Sequence, residues 1–224
     1  MKKLILSTLS VVVIAAAMSS CGKSSKGKMS NDWKIESYEE NSTSNSSNGS
    51  TTVTKEIYNG SSITETTTTT TNGIATTTTE TSTMASPSFK IEKDGTWSMN
   101  KTTVATSTQN GMTYNTTNVI TETGTWNFIG KNKEEDFKKN ERVLFNVLTS
   151  SNNSTVVTTI AGTSSTSTGN SSSTYSAGEY VRIYTVTESK GKSLELSTDT
   201  KSTDTYGTNS GSYTSSSSMK LVQE

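Results

Sequence analysis

Apolar residues recur at every second position in short segments spread along this chain. Trp33 and Ile35 alternate with Lys34 and Glu36, Phe89 and Ile91 with Lys90 and Glu92, and Leu194 and Leu196 flank Glu195. Trp97 is followed by Met99, Trp126 by Phe128, and Met219 by Leu221 in the same spacing. Val143, Phe145 and Val147 form one face of another segment, and Val53 and Ile57 flank Lys55. Val181 and Ile183 share one face of a later segment, with Tyr180, Tyr184 and Val186 on the other. Period two marks strands buried on one face. No stretch carries a helical stripe, and only residues 132–141, charged and free of Thr, leave room for a helical turn. Asn-Gly pairs at 48–49, 59–60, 72–73 and 110–111, Asp-Gly at 94–95, and Lys190-Gly191-Lys192 punctuate the pattern. Such pairs tolerate positive φ and suit tight hairpins. The prediction is an all-β fold, an antiparallel meander of roughly ten strands. Closing the meander into a barrel removes its exposed edges.

Two regions break the alternation. Residues 66–71 are all Thr, Asn72-Gly73 follows, and residues 76–79 are Thr again. With both faces polar, the pattern specifies register weakly, although facing Thr pairs add roughly a few tenths of a kcal/mol per rung. A long Thr-rich hairpin reaching past the barrel rim is expected here, and a polar loop or strand tip over residues 163–174. Unbroken Thr runs do not give the strict Thr-x-Thr face that ice binding requires. Composition sharpens this picture. Hydrophobic residues make up 28% of the chain, low for a globular domain. Disorder would also bring abundant Pro, and there is one. Thr is branched at Cβ and fits a pleated surface. The compromise is a small core with long polar strands rising beyond it.

The N-terminus has a different character. Lys2 and Lys3 precede an apolar stretch over residues 4–17, and small residues lead to Cys21. This is the layout of a secretory signal. The stretch is too short to span about 30 Å of hydrocarbon comfortably. Met18-Ser19-Ser20-Cys21 resembles the lipobox of bacterial lipoproteins, with Met and Ser where Leu and Gly or Ala are commoner. That resemblance implies cleavage before Cys21 and lipid on its thiol. Cys21 is the single cysteine, and an unpaired thiol in an oxidising compartment is otherwise a liability. The chain is thus expected to divide into a signal peptide over 1–20, a lipidated tether over 21–30 and a barrel domain over 31–224. The implied partner is a membrane, held through lipid on Cys21. Gly22 after the cysteine implies the outer membrane by resemblance to enteric lipoproteins. The basic Lys23, Lys26 and Lys28 favour its periplasmic face over the cell surface.

Several segments, in order, resemble the lipocalin-like lipoproteins of Bacteroidota. They are Asp32-Trp33-Lys34-Ile35, residues 89–97 with Asp94-Gly95-Thr96-Trp97, Gly124-Thr125-Trp126-Asn127-Phe128, residues 179–186, Leu194-Glu195-Leu196 and Met219-Lys220-Leu221. The resemblance implies a lipocalin-like barrel with long Thr/Ser-rich hairpins, and a small apolar ligand. It also implies that an arginine, here Arg182, packs over Trp33; an exposed strand position is the plain alternative. Asn31 stands where lipocalins usually carry Gly two residues before the first Trp.

Chemistry is bounded mostly by exclusion. The chain has no histidine, which removes Ser-His-Asp and Cys-His catalysis and histidine-ligated zinc. No phosphate-binding Gly-rich loop is present. Glu134, Glu135 and Asp136 are interleaved with lysines and read as a solvated loop, without EF-hand spacing. Loss of Lys2 and Lys3 takes the 20 basic side chains to 18, against 20 acidic ones. That balance gives no basic footprint for nucleic acid. The expectation is a non-enzyme without cofactor or metal. Trp33, Trp97, Trp126, Phe128, Phe145 and Tyr184 are the residues that either line a ligand cup or fill the core. If they cluster and touch, the barrel is self-filled and the protein structural or adhesive. If a cup stays open, the protein binds a small apolar molecule.

Overall fold

The computed structural model describes residues 26–130, 140–206 and 209–224. The signal region, Cys21 and the acidic residues Glu134, Glu135 and Asp136 lie outside them. After one helical turn, Lys26–Met29, every element is a strand. These are β1 (Asn31–Asn45), β2 (Thr51–Tyr58), β3 (Ser62–Thr71), β4 (Ile74–Ile91), β5 (Thr96–Gln109) and β6 (Met112–Gly130). Then come β7 (Glu141–Ile160), β8 (Thr163–Thr174), β9 (Val181–Lys190), β10 (Ser193–Tyr206) and β11 (Asn209–Gln223). All eleven join one sheet in the order β6-β5-β4-β3-β2-β1-β11-β10-β9-β7-β8. Every described pairing is antiparallel. A further pairing of β6 with β7 closes a barrel-like ring through every strand except β8.

The ring is narrower at one end, called the base here. There Asn31, Asp32, Trp33 and Lys34 pair directly with residues 88–91 of β4. The β2–β3 hairpin enters the wall only higher up, where Tyr38 meets Tyr58. At the base the circuit is therefore β1, β4, β5, β6, β7, β9, β10 and β11. Going up, two seams open. Pairing of β4 with β5 stops at Thr83 and Val104, leaving residues 74–82 bonded to β3 alone. Pairing of β9 with β10 stops at Thr185 and Ser197. The upper wall thus splits into two leaves, one of β10, β11, β1, β2, β3 and β4, the other of β5, β6, β7 and β8.

The expected turns form where the chain can take positive φ. Asn72-Gly73 (53° and 77°) and Asn110-Gly111 (52° and 75°) have both central residues left-handed, as a two-residue hairpin matching the sheet twist requires. A further turn, Ala161-Gly162, has Ala at φ 47°; its sequence carries no Asn or Asp to announce it. The Thr hairpin keeps one register without a slip, from Ser62 opposite Thr83 to Thr71 opposite Ile74. Thr68 and Thr77 hydroxyls meet at 2.9 Å across it. It is part of the upper wall, since β2 lies along it and bonds Thr52 to Thr69 and Thr54 to Thr67. Residues 163–174 form a full strand on β7.

The apolar positions are drawn to the base. Trp33, Ile35, Phe89, Ile91, Trp97, Trp126, Val143, Phe145, Val147, Leu194, Leu196 and Leu221 are all buried. The pair Val53 and Ile57 departs from the pattern: both are exposed, and their strand buries Tyr58 on its other face. The core claims that face because Tyr58 sits low, against Ile63 and Tyr38. The last residues of the expected tether also join the core. Met29 is fully buried, and its carbonyl accepts from Trp33 Nε1 at 2.8 Å.

Two substitutions test this packing. Gly124 lies so close to β7 that an added Cβ would fall 1.8 Å from the Asn146 carbonyl oxygen. Gly124→Ala is expected to lower unfolding free energy by about 2–3 kcal/mol in urea melts. Ala161→Asn, which relieves a left-handed alanine, is expected to raise it by about 0.5–1 kcal/mol.

Candidate functional site

The aromatic residues singled out in the sequence come together at the base. Phe89 stacks on Trp97 with centroids 5.5 Å apart, and Phe145 packs edge-on to both. Tyr184 continues the cluster against Phe145 at 5.8 Å. Trp33, Trp97, Trp126 and Phe145 are buried, while Phe128 and Tyr184 are partly buried and packed against them. Indole N–H groups need acceptors when buried, and all three have one. Trp33 donates to Met29, Trp97 to the Asn146 carbonyl at 3.2 Å, and Trp126 to the Glu92 carbonyl at 2.8 Å. Each indole therefore ties one strand to backbone elsewhere while its ring fills the base.

An ion pair lies above this plug. Arg182 shares β9 with Tyr184, and it donates to Glu122 of β6 through both terminal nitrogens, at 2.5 and 2.7 Å. It also donates to Tyr180 Oη at 2.8 Å and lies over that ring. Glu122 is buried. Burial works against the charge of Arg182, but the carboxylate outweighs it and raises the guanidinium pKa above its usual value. The cap over Trp33 implied by the resemblance is not formed by Arg182; residues 175–180 bring Tyr180 beside it instead. The ends of that six-residue excursion bond to β7, where Tyr175 N–H donates to the Leu148 carbonyl and Val147 N–H to the Tyr180 carbonyl, and Gly178 N–H donates to Asn146 Oδ1 at 2.8 Å.

Above the ion pair the interior is polar. A cleft of about 710 Å³, within the usual size range of ligand pockets, opens between the leaves, lined by Glu56, Glu65, Glu80, Lys101, Asn118 and Asn152 among others. Glu40, Glu56, Glu65 and Glu80 stand directly opposite one another across β1, β2, β3 and β4. Sequence reading missed this row, because only the register brings the four residues together. Like charges facing across strands repel. Lys101 offsets part of this, 3.5 Å from Glu56, and donates to Tyr38 Oη at 3.0 Å. Tyr38 in turn donates to Glu56. Burial first, and Glu56 second, push the Tyr38 phenol well above its ordinary pKa, so it remains a donor. Among the described residues no group of three His, Cys, Asp or Glu is placed to hold a metal ion. No described helix is long and apolar enough to cross a membrane.

The geometry defines an all-β, barrel-like protein with an apolar base and a polar, split upper half. No protein-family model, curated protein or solved structure matches the chain.

Arg182 is partly exposed and Glu122 is buried, so removing the arginine strands a buried carboxylate. Arg182→Met is expected to cost about 3–5 kcal/mol in urea unfolding, and Arg182→Met with Glu122→Leu to recover most of it. Glu65→Thr, which removes one of the two inner charges of the row, is expected to stabilise by about 0.2–1 kcal/mol, an effect that shrinks in high salt.

Proposed function

We propose that this chain is a lipid-anchored envelope lipoprotein whose barrel is filled by its own side chains and plays a structural or adhesive part. One observation carries the reading. Of the aromatic side chains that would line an apolar cup, Trp97, Phe145 and Tyr184 meet ring to ring, Trp33 and Trp126 are buried in the same core, and Phe128 packs against it. A pocket for a lipid-like molecule is lined mainly by apolar groups, and the space above the plug is walled mainly by polar and charged side chains, with Ile63, Ala105 and Ile120 as its apolar members.

The anchor follows from the sequence. Cys21 carries the lipid after cleavage, as the lipobox resemblance implies. Met29, eight residues later, is locked under the barrel. Fully extended, eight residues reach about 28 Å, and the helical turn Lys26–Met29 makes the link shorter than that. The base then faces the membrane and the Thr- and Ser-rich leaves point away from it, at the outer membrane on its periplasmic face. Two acyl chains or more hold such a protein stably. The cleft between the leaves supports a second reading, a small ligand carried there, and its lining selects a polar ligand.

Native mass spectrometry of the protein extracted from its own envelope separates these readings. The expected spectrum shows acyl mass on Cys21 and no other adduct on the folded barrel. An adduct lost on denaturation would favour the binding reading. Cys21→Ser is expected to move the protein from the membrane pellet to the soluble fraction after cell disruption; retention in the pellet would sink the anchor.

A further inference from the structure

The split of the upper wall leaves strand edges without backbone partners, and they are not protected alike. Unpaired edges are templates for another chain, and proteins blunt them with charge, Pro, bulges or short length. On β10, residues 198–202 bond only to β11 and carry Asp199 and Lys201. On β4, residues 74–82 carry Glu80, which points into the cleft. On β5 the free stretch is only residues 105–109. β8 has none of these devices. It pairs with β7 alone over twelve consecutive rungs without a bulge, and all twelve residues are exposed. Its sequence is Thr, Ser, Gly and Asn throughout, with no charge and no Pro.

We propose that β8 is a docking edge for β8 of a second copy of this chain, the two strands running antiparallel about a twofold axis. Self-pairing of this kind sets residues before the axis opposite residues after it. On β10 or β4 it would bring charged edges together; on β8 every pairing sets one small neutral residue against another. The same chemistry already forms rungs within the chain, where the Thr159 and Ser164 hydroxyls meet at 2.9 Å between β7 and β8. A twofold contact uses the one unprotected edge among the described strands of each copy and closes at two. The joined sheets run from β7 and β8 of one copy into β8 and β7 of the other. Antiparallel pairing also sets the two bases at opposite ends.

The test is a cysteine scan of β8 in the full-length protein, purified in detergent and oxidised mildly beside the parent chain. A twofold axis predicts one position at which a single cysteine forms a disulfide dimer efficiently, with yield falling on both sides. Mixed chains with cysteines placed symmetrically about that position should cross-link to each other. Thr166→Lys with Thr168→Lys, which puts charges on the edge, is expected to shift the uncross-linked protein from dimer to monomer in sedimentation and to weaken association at least 10-fold. A parent that stays monomeric, cross-linking with no maximum along β8, or a dimer indifferent to the two lysines would overturn the proposal. Anchoring is read separately, from acyl mass on Cys21, so failure of one does not disguise failure of the other.

Discussion

The aromatic plug at the base is the contact set on which the rest of this structure depends. Little of the chain is apolar, and what there is comes together over one short length of the barrel. Phe89, Trp97, Phe145 and Tyr184 meet ring to ring, and each of the three tryptophans also donates a hydrogen bond to backbone of another segment. Aromatic pairs of this kind contribute about 0.5–1.5 kcal/mol beyond the area they bury. Closure of the ring at β6 and β7 passes through the same place, where Trp126 is opposite Phe145 and Gly124 lets the strands approach. Weakening the plug would loosen closure as well as the core.

Above the plug, stability must come from backbone ladders and small polar rungs. This suits Thr, whose branched Cβ favours the extended chain even where nothing is buried. It also explains why the wall divides. A closed ring is worth keeping where its interior is filled. Farther up, β4 and β5 part and β9 leaves β10, because no apolar layer draws the leaves together. The Glu122–Arg182 pair marks the boundary, satisfying buried charge at the level where the apolar lining ends.

The same division gives each end its proposed role. The base holds Met29, eight residues after the proposed lipid attachment at Cys21. The upper leaves carry the polar cleft and the unpaired edges, and among the described strands β8 alone has no protection. The structural or adhesive role proposed needs no reactive group.

Much of this was legible in the residues alone. Alternating apolar positions announced the strands and the faces they bury, and Asn-Gly pairs placed the hairpins, because pleat periodicity and positive φ are local properties. The six aromatic positions were identified, though whether they lined a cup or filled it was not, since that depends on which strands face each other. Val53 and Ile57 alternate as a core pair would, yet the level of Tyr58 in the barrel turned them outward. The glutamate row, the Arg182 partner, the docked Met29, the two seams and the bare β8 edge were hidden for one reason. Each is a relation between residues distant in sequence, created by register and ring closure. Local patterning determined that this chain forms long antiparallel strands with one apolar end; only the tertiary structure decided which side chains meet inside them and which edge is left open.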